Sequence, residues 1–306
     1  MDELIYKLRE SHVGCHIGNM FVGGLGYADD LCLLAPSRQA IRVMLNICER
    51  FGDEYDVLFN SQKSHLLLFN SKTSYHDMPK LTLNGEILNI QNTASHLGNP
   101  IGNDNVNITA INKATRDIVW RTNYVMTKFG FCTSDVKSFM FRTYCTSFYG
   151  SPLWCLNSTS TNKIYVTWRK CMRKVWSISP RTHCCLLKHL YESLGVEFDI
   201  MSRFLSFYRS ICTSTNTCTK LCSLLCKFSG TTVAKNRRLL LSKLNRTDID
   251  MNVSNHSLLY DVYNCNDLCK VQGLALRELC LVRDGVLFTD LDREDVLNFI
   301  DVMCVS

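Results

Sequence analysis

Apolar residues recur along the chain at two different periods, and the change from one to the other divides it. In the first hundred residues the apolar runs are short and bounded by Gly, Asn, Asp and Pro, the pattern of strands joined by tight turns. Met20 to Gly26 and Leu31 to Ala35 predict a hairpin around Tyr27-Ala28-Asp29-Asp30. Val57 to Phe59 and His65 to Phe69 predict further strands. Leu81 to Leu88 predicts a second hairpin, because Asn84-Gly85 favours the turn that matches strand twist. Asp2 to Arg9 reads as a short helix. Ile41, Met44, Leu45, Cys48 and Phe51 fall on one helical face, so residues 38–53 predict an amphipathic helix with Ser37 as its N-cap. Residues 70–79 and 102–107 read as polar loops.

From about residue 108 the period becomes helical and stays so. Ile111, Ala114, Ile118, Arg121, Val125 and Phe129 trace one helix. Val136 to Phe148 trace a second, ended by Gly150-Ser151-Pro152, and Asn162 to Trp176 a third. Further helices are expected at 182–194, 197–213, 216–228, 232–245, 267–282 and 291–303. The fold class is α+β: an antiparallel sheet with a helix, then an all-helical remainder. The expected divisions are 1–105, 106–195 and 196–306.

Composition adds a soluble, folded class. The chain has 306 residues and 46% hydrophobic content, enough for one or two domains with a real core. No apolar run approaches a membrane span, and the N-terminus lacks a secretory pattern. The 17 cysteines then read as reduced thiols in a nuclear or cytoplasmic, not secreted, protein. Cys218, Cys222 and Cys226 repeat as a helix stripe, which reads as small buried residues. His183, Cys184, Cys185 and His189 form a looser group without zinc-ligand spacing.

Charge is distributed in blocks. Residues 1–135 carry 12 Lys/Arg and 14 Asp/Glu, net −2. Residues 136–247 carry 18 Lys/Arg and 3 Asp/Glu, net +15. Residues 248–306 carry 4 Lys/Arg and 11 Asp/Glu, net −7. The middle block points to a polyanionic partner. Within it Tyr165, Trp168 and Trp176 are interleaved with Arg169, Lys170, Arg173 and Lys174. Cations can neutralise phosphates while aromatics stack on bases. The alternative is that the aromatics are core and the charges solvate the opposite face. No carboxylate occurs in the 56 residues from Val136 to Tyr191, which weighs against simple solvation.

The first hairpin carries the candidate chemistry. Asp29 and Asp30 are adjacent carboxylates at a turn, and hard oxygen ligands suit Mg²⁺. In extended backbone they face opposite ways, so one of them reaches a given site. Turns are rich in Asp in any case, so the pair alone also reads as a polar hairpin tip.

The flanks extend the pattern. Tyr27-Ala28-Asp29-Asp30 between two apolar strands, followed by Leu34-Ala35-Pro36-Ser37, resembles the palm hairpin of reverse transcriptases. The likeness is to non-LTR retrotransposons of the Jockey-like group. Leu8 to Gly18 resembles the segment before that hairpin. Phe59-Asn60-Ser61-Gln62-Lys63-Ser64 resembles the next palm motif, and His96-Leu97-Gly98 the primer grip. Phe148 to Trp154, Trp168-Arg169-Lys170 and Arg181-Thr182-His183 resemble the region after the polymerase core. These segments stand in the family's order over about residues 1–210.

The resemblance implies a partial polymerase palm, then a helical thumb and a helical C-terminal region. It implies RNA-directed DNA polymerisation on an RNA template and DNA primer, by two-metal nucleotidyl transfer with Mg²⁺. Asp29 would be the metal ligand and Asp30 the less direct one. Tyr27 and Ala28 would lie near the nucleotide and template, and Leu97 and Gly98 at the primer end. Lys63 would meet the leaving pyrophosphate; it also reads as a solvated lysine. Arg169, Lys170, Arg173 and Lys174 would contact nucleic acid. The family's other catalytic carboxylate, its fingers and a Gln-Gly motif lie upstream of such a hairpin. The chain therefore corresponds to the C-terminal part of the enzyme, expected to bind Mg²⁺ weakly and to be inactive alone. The alternative is a non-enzymatic nucleic-acid-binding remnant that uses the basic helices.

Overall fold

The computed structural model describes residues 1–69, 80–103, 106–182, 184, 186–191, 194–228 and 230–263. The chain separates into two units, Met1–Val106 and Asn107–Ser306.

The first unit is built from a helix pair and short ladders. Helix α1 (Asp2–Glu10) and helix α2 (Arg38–Tyr55) bury Leu4, Leu8, Met44, Cys48 and Phe51 together with Phe21. The apolar stripe read from the sequence is the buried stripe. Ser37 caps α2, its hydroxyl accepting from the Ala40 N–H at 3.1 Å. Strands β1 (His16–Ile17) and β2 (Met20–Phe21) form one hairpin, and β3 (Gly24–Tyr27) and β4 (Asp30–Leu33) the next. A backbone bond from the Cys15 N–H to the Leu34 carbonyl ties the two hairpins. Gly24 lies against α1, where an added Cβ would meet Ile5 at 3.1 Å.

The remaining strands are β5 (His65–Leu67), β6 (Thr82–Leu83), β7 (Glu86–Ile87), β8 (Asn89–Gln91), β9 (Thr93–His96) and β10 (Asn99–Gly102). β6–β7 and β9–β10 are hairpins, and β5 pairs with β8 in parallel. The expected antiparallel sheet is thus replaced, among the described residues, by five two-stranded ladders. Strands of two to four residues carry few ladder bonds, and turns interrupt them before a wider sheet builds. Val57 to Phe59 form no strand: Leu58 is 85% exposed, and the Asn60 side chain folds the next residues into a turn by accepting from the Lys63 N–H. The expected loop at 70–79 lies outside the described residues.

The second unit is helical. Its elements are α3 (Val106–Phe129, whose first residue closes the first unit), α4 (Ser134–Met140), α5 (Thr159–Val175), α6 (Leu186–Tyr191), α7 (Val196–Thr213), α8 (Thr217–Phe228), α9 (Thr232–Leu244) and α10 (Asn255–Tyr263). The single helix expected over Val136 to Phe148 is α4 continued by a π-helical turn, Phe141–Cys145. Helix α10 was not expected from the sequence. The helices expected at 267–282 and 291–303 lie outside the described residues. One continuous core runs from Ile111 to Leu259 across residue 195, with Phe141, Trp154, Trp168, Phe204 and Tyr208 buried in it. Asn236 is buried at its edge, donating to the Trp154 carbonyl at 2.7 Å and accepting from the Leu156 N–H at 3.1 Å.

Candidate hairpin site and basic groove

Register places the Asp pair. Tyr27 is opposite Asp30, so Ala28 and Asp29 are the two residues of the turn. Ala28 stands at φ 52°, the left-handed region that L-residues other than Asn and Asp seldom occupy. All four residues are exposed. Asp29 therefore sits on the tip, and Asp30 begins β4.

The β9–β10 tip also begins its turn with a non-glycine residue at positive φ. Leu97 stands at φ 48° and Gly98 at φ 75°. A tight hairpin turn wants positive φ at both positions, which glycine gives freely and leucine does not. Asn84-Gly85, at 52° and 77°, makes the same turn with the residues that suit it. Strain of this kind tends to persist where function holds it. Lys63 is exposed in the turn before β5.

Carboxylate oxygens match Mg²⁺ in donor type. Among the described residues, however, no group of three His, Cys, Asp or Glu is placed to hold a metal ion. Asp29 and Asp30 alone fit a cation that surrenders its waters reluctantly only in part. The cysteine stripe is split by environment: Cys226 is buried, Cys218 half-buried and Cys222 exposed on α8. His183, Cys185 and the side chain of His189 lie outside the described residues.

In the second unit α5 brings the four basic candidates together. Arg169, Lys170, Arg173 and Lys174 line one groove of about 490 Å³ with Val166 and Ile178. Three of the four are held by partners. Arg169 pairs with Glu197. Arg173 donates from Nε and Nη2 to the Thr182 carbonyl, at 3.0 and 2.7 Å, and from Nη2 to Cys184 Sγ at 3.3 Å. Lys174 Nζ donates to Asn123 Oδ1 at 2.7 Å, and Lys170 is exposed. The interleaved aromatics are not stacking surfaces: Trp168 and Trp176 are buried, and Tyr165 packs against the core.

Backbone carbonyls are the partners of several guanidinium groups of the basic block. Arg142 donates to the Tyr191 carbonyl, Arg203 to that of Thr146, Arg209 to those of Asp250 and Val253. At these positions a backbone carbonyl orients the guanidinium without cancelling its charge, whereas Arg169 and Arg237 pair with Glu197 and Asp248.

Phe139, Tyr144 and Tyr149 are exposed within the basic block, and α3 exposes Trp120 and Tyr124 with their rings stacked. Their signal was present in the sequence as an i, i+4 pair opposite the Ile118 and Val125 face. Among the described residues no helix is long and apolar enough to cross a membrane. Comparison of the chain with protein-family models, curated proteins and solved structures returns no match.

Proposed function

We propose that the chain is part of a reverse transcriptase of a non-LTR retrotransposon. In this reading the β3–β4 hairpin supplies Asp29, and secondarily Asp30, to a two-carboxylate site for Mg²⁺, the β9–β10 tip abuts the primer end, and the helical unit serves as thumb. The observation that supports it most is the placement of Asp29 on a two-residue turn of strained backbone, exposed and flanked by Tyr27 and Asp30. A rigid tip holding a carboxylate is what positioning of a transferring phosphoryl group requires. The partners are an RNA template and a DNA primer. A second reading, a nucleic-acid-binding protein without catalysis, is favoured by the convergence of four cations on the α5 groove.

Photo-crosslinking separates the two. A primer carrying a photoreactive 3′-terminal nucleotide, annealed to RNA, should label peptides containing Tyr27 to Asp30 or Leu97-Gly98. Labelling confined to α5 peptides would reject the polymerase reading and leave the binding one.

A further inference from the structure

Helix α3 turns an aromatic stripe toward solvent on the face opposite its core. Ile111, Ile118, Thr122 and Val125 are buried. On the other side Trp120 and Tyr124 are 67% and 52% exposed, with rings stacked at 5.8 Å between centroids and 21° between planes. A helix ordinarily presents polar residues there, and adjacent large apolar rings mark a contact surface.

Cations bracket the pair. Arg116 lies one turn before Trp120 and Lys128 one turn after Tyr124, both exposed, with Lys113 on the same face. The line from Arg116 to Lys128 is about 18 Å long. Asp117, half-buried, is the carboxylate on its flank. The bond from Lys174 to Asn123 carries the cations of the α5 groove to the edge of the stripe.

We infer that this face of α3 is a stacking platform for single-stranded nucleic acid, with bases on Trp120 and Tyr124 and phosphates among Arg116, Lys128 and Lys174. The class of partner rests on the reading proposed above; the site is a new one, in the second unit, whereas the Asp29 hairpin belongs to the first. Every base has a π-face, so such a platform is tolerant of sequence. Rings already held against each other have little freedom left to lose on binding. An apolar protein surface could use the rings but would gain nothing from cations at both ends.

Tryptophan fluorescence reads this site selectively. Of the four tryptophans, Trp154, Trp168 and Trp176 are 2%, 2% and 5% exposed, against 67% for Trp120. Titration of the full chain with oligo(U) or oligo(dT) should quench the emission, less so at higher salt, and Trp120→Phe should abolish the change. In anisotropy with a labelled strand, Trp120→Ala combined with Tyr124→Ala should weaken binding about tenfold or more. Alanine favours an exposed helix position, so folding is preserved. Comparing the two oligonucleotides tells whether RNA or DNA is preferred. Affinity unchanged in the double variant overturns the platform and leaves the nucleic-acid reading standing. A dimer in sedimentation, abolished by the same double variant, overturns it in favour of a second copy. No binding of either strand by the parent chain at low salt rejects both.

Discussion

Leu97 shows at the scale of one residue what the candidate site costs. Its φ of 48° is ordinary for glycine and unfavourable for leucine by roughly 1–2 kcal/mol. Leu97→Asn, a residue that tolerates this region, should raise the stability of the first unit by roughly 0.5–1 kcal/mol. A urea titration of the full chain checks this. The same change should weaken primer binding if Leu97 serves there. Buried thiols give a second residue-scale expectation. Burial pushes Cys145 up from 9.0 to about 11, Thr122 and Arg121 pulling partly back. The folded state holds this proton after the unfolded state has lost it. Its contribution is therefore intact below pH 9 and falls as pH rises toward about 11. The urea midpoint of the second unit should fall over that window, less steeply in Cys145→Ala.

Among elements, α2 was the most legible in the sequence. Its stripe of Met44, Leu45, Cys48 and Phe51 and its Ser37 cap follow from period and cap chemistry alone. Ser37→Ala should cost about 1 kcal/mol, measured as a lower denaturation midpoint. The Asn84-Gly85 turn was legible for the same local reasons. Val57 to Phe59 was not, because β-branched and aromatic letters carry strand propensity whether or not a partner strand exists. The π-helical turn at Phe141–Cys145 and the role of Asn236 were invisible, since both depend on residues far apart in sequence. Asn236→Ala, which orphans the Trp154 carbonyl and the Leu156 N–H, should destabilise the second unit by about 1–3 kcal/mol.

For the whole molecule, the shift from strand to helical period near residue 108 was plain in the sequence, and the charge blocks were plain too. What composition could not give was the division of labour within the basic block. Buried tryptophans and guanidinium groups bonded to carbonyls look, letter by letter, like a nucleic-acid-binding helix. Only packing separates them from the groove lined by Lys170 and Lys174 and from the exposed rings of α3. Charge reversal at Lys170 and Lys174 should therefore weaken strand binding and flatten its salt dependence, by up to about one in slope for each phosphate no longer neutralised. Reversal at Arg142 or Arg203 should instead lower stability. The central proposal, that Asp29 is a polymerase carboxylate that works with a second carboxylate from a palm strand N-terminal to its hairpin, is tested most directly by primer extension on an RNA template with Mg²⁺ or Mn²⁺. The account predicts no extension by this chain alone, and extension once a polypeptide carrying the fingers and second palm carboxylate of a related polymerase is supplied, lost again in Asp29→Ala. Extension in that mixture that survives Asp29→Ala would contradict it.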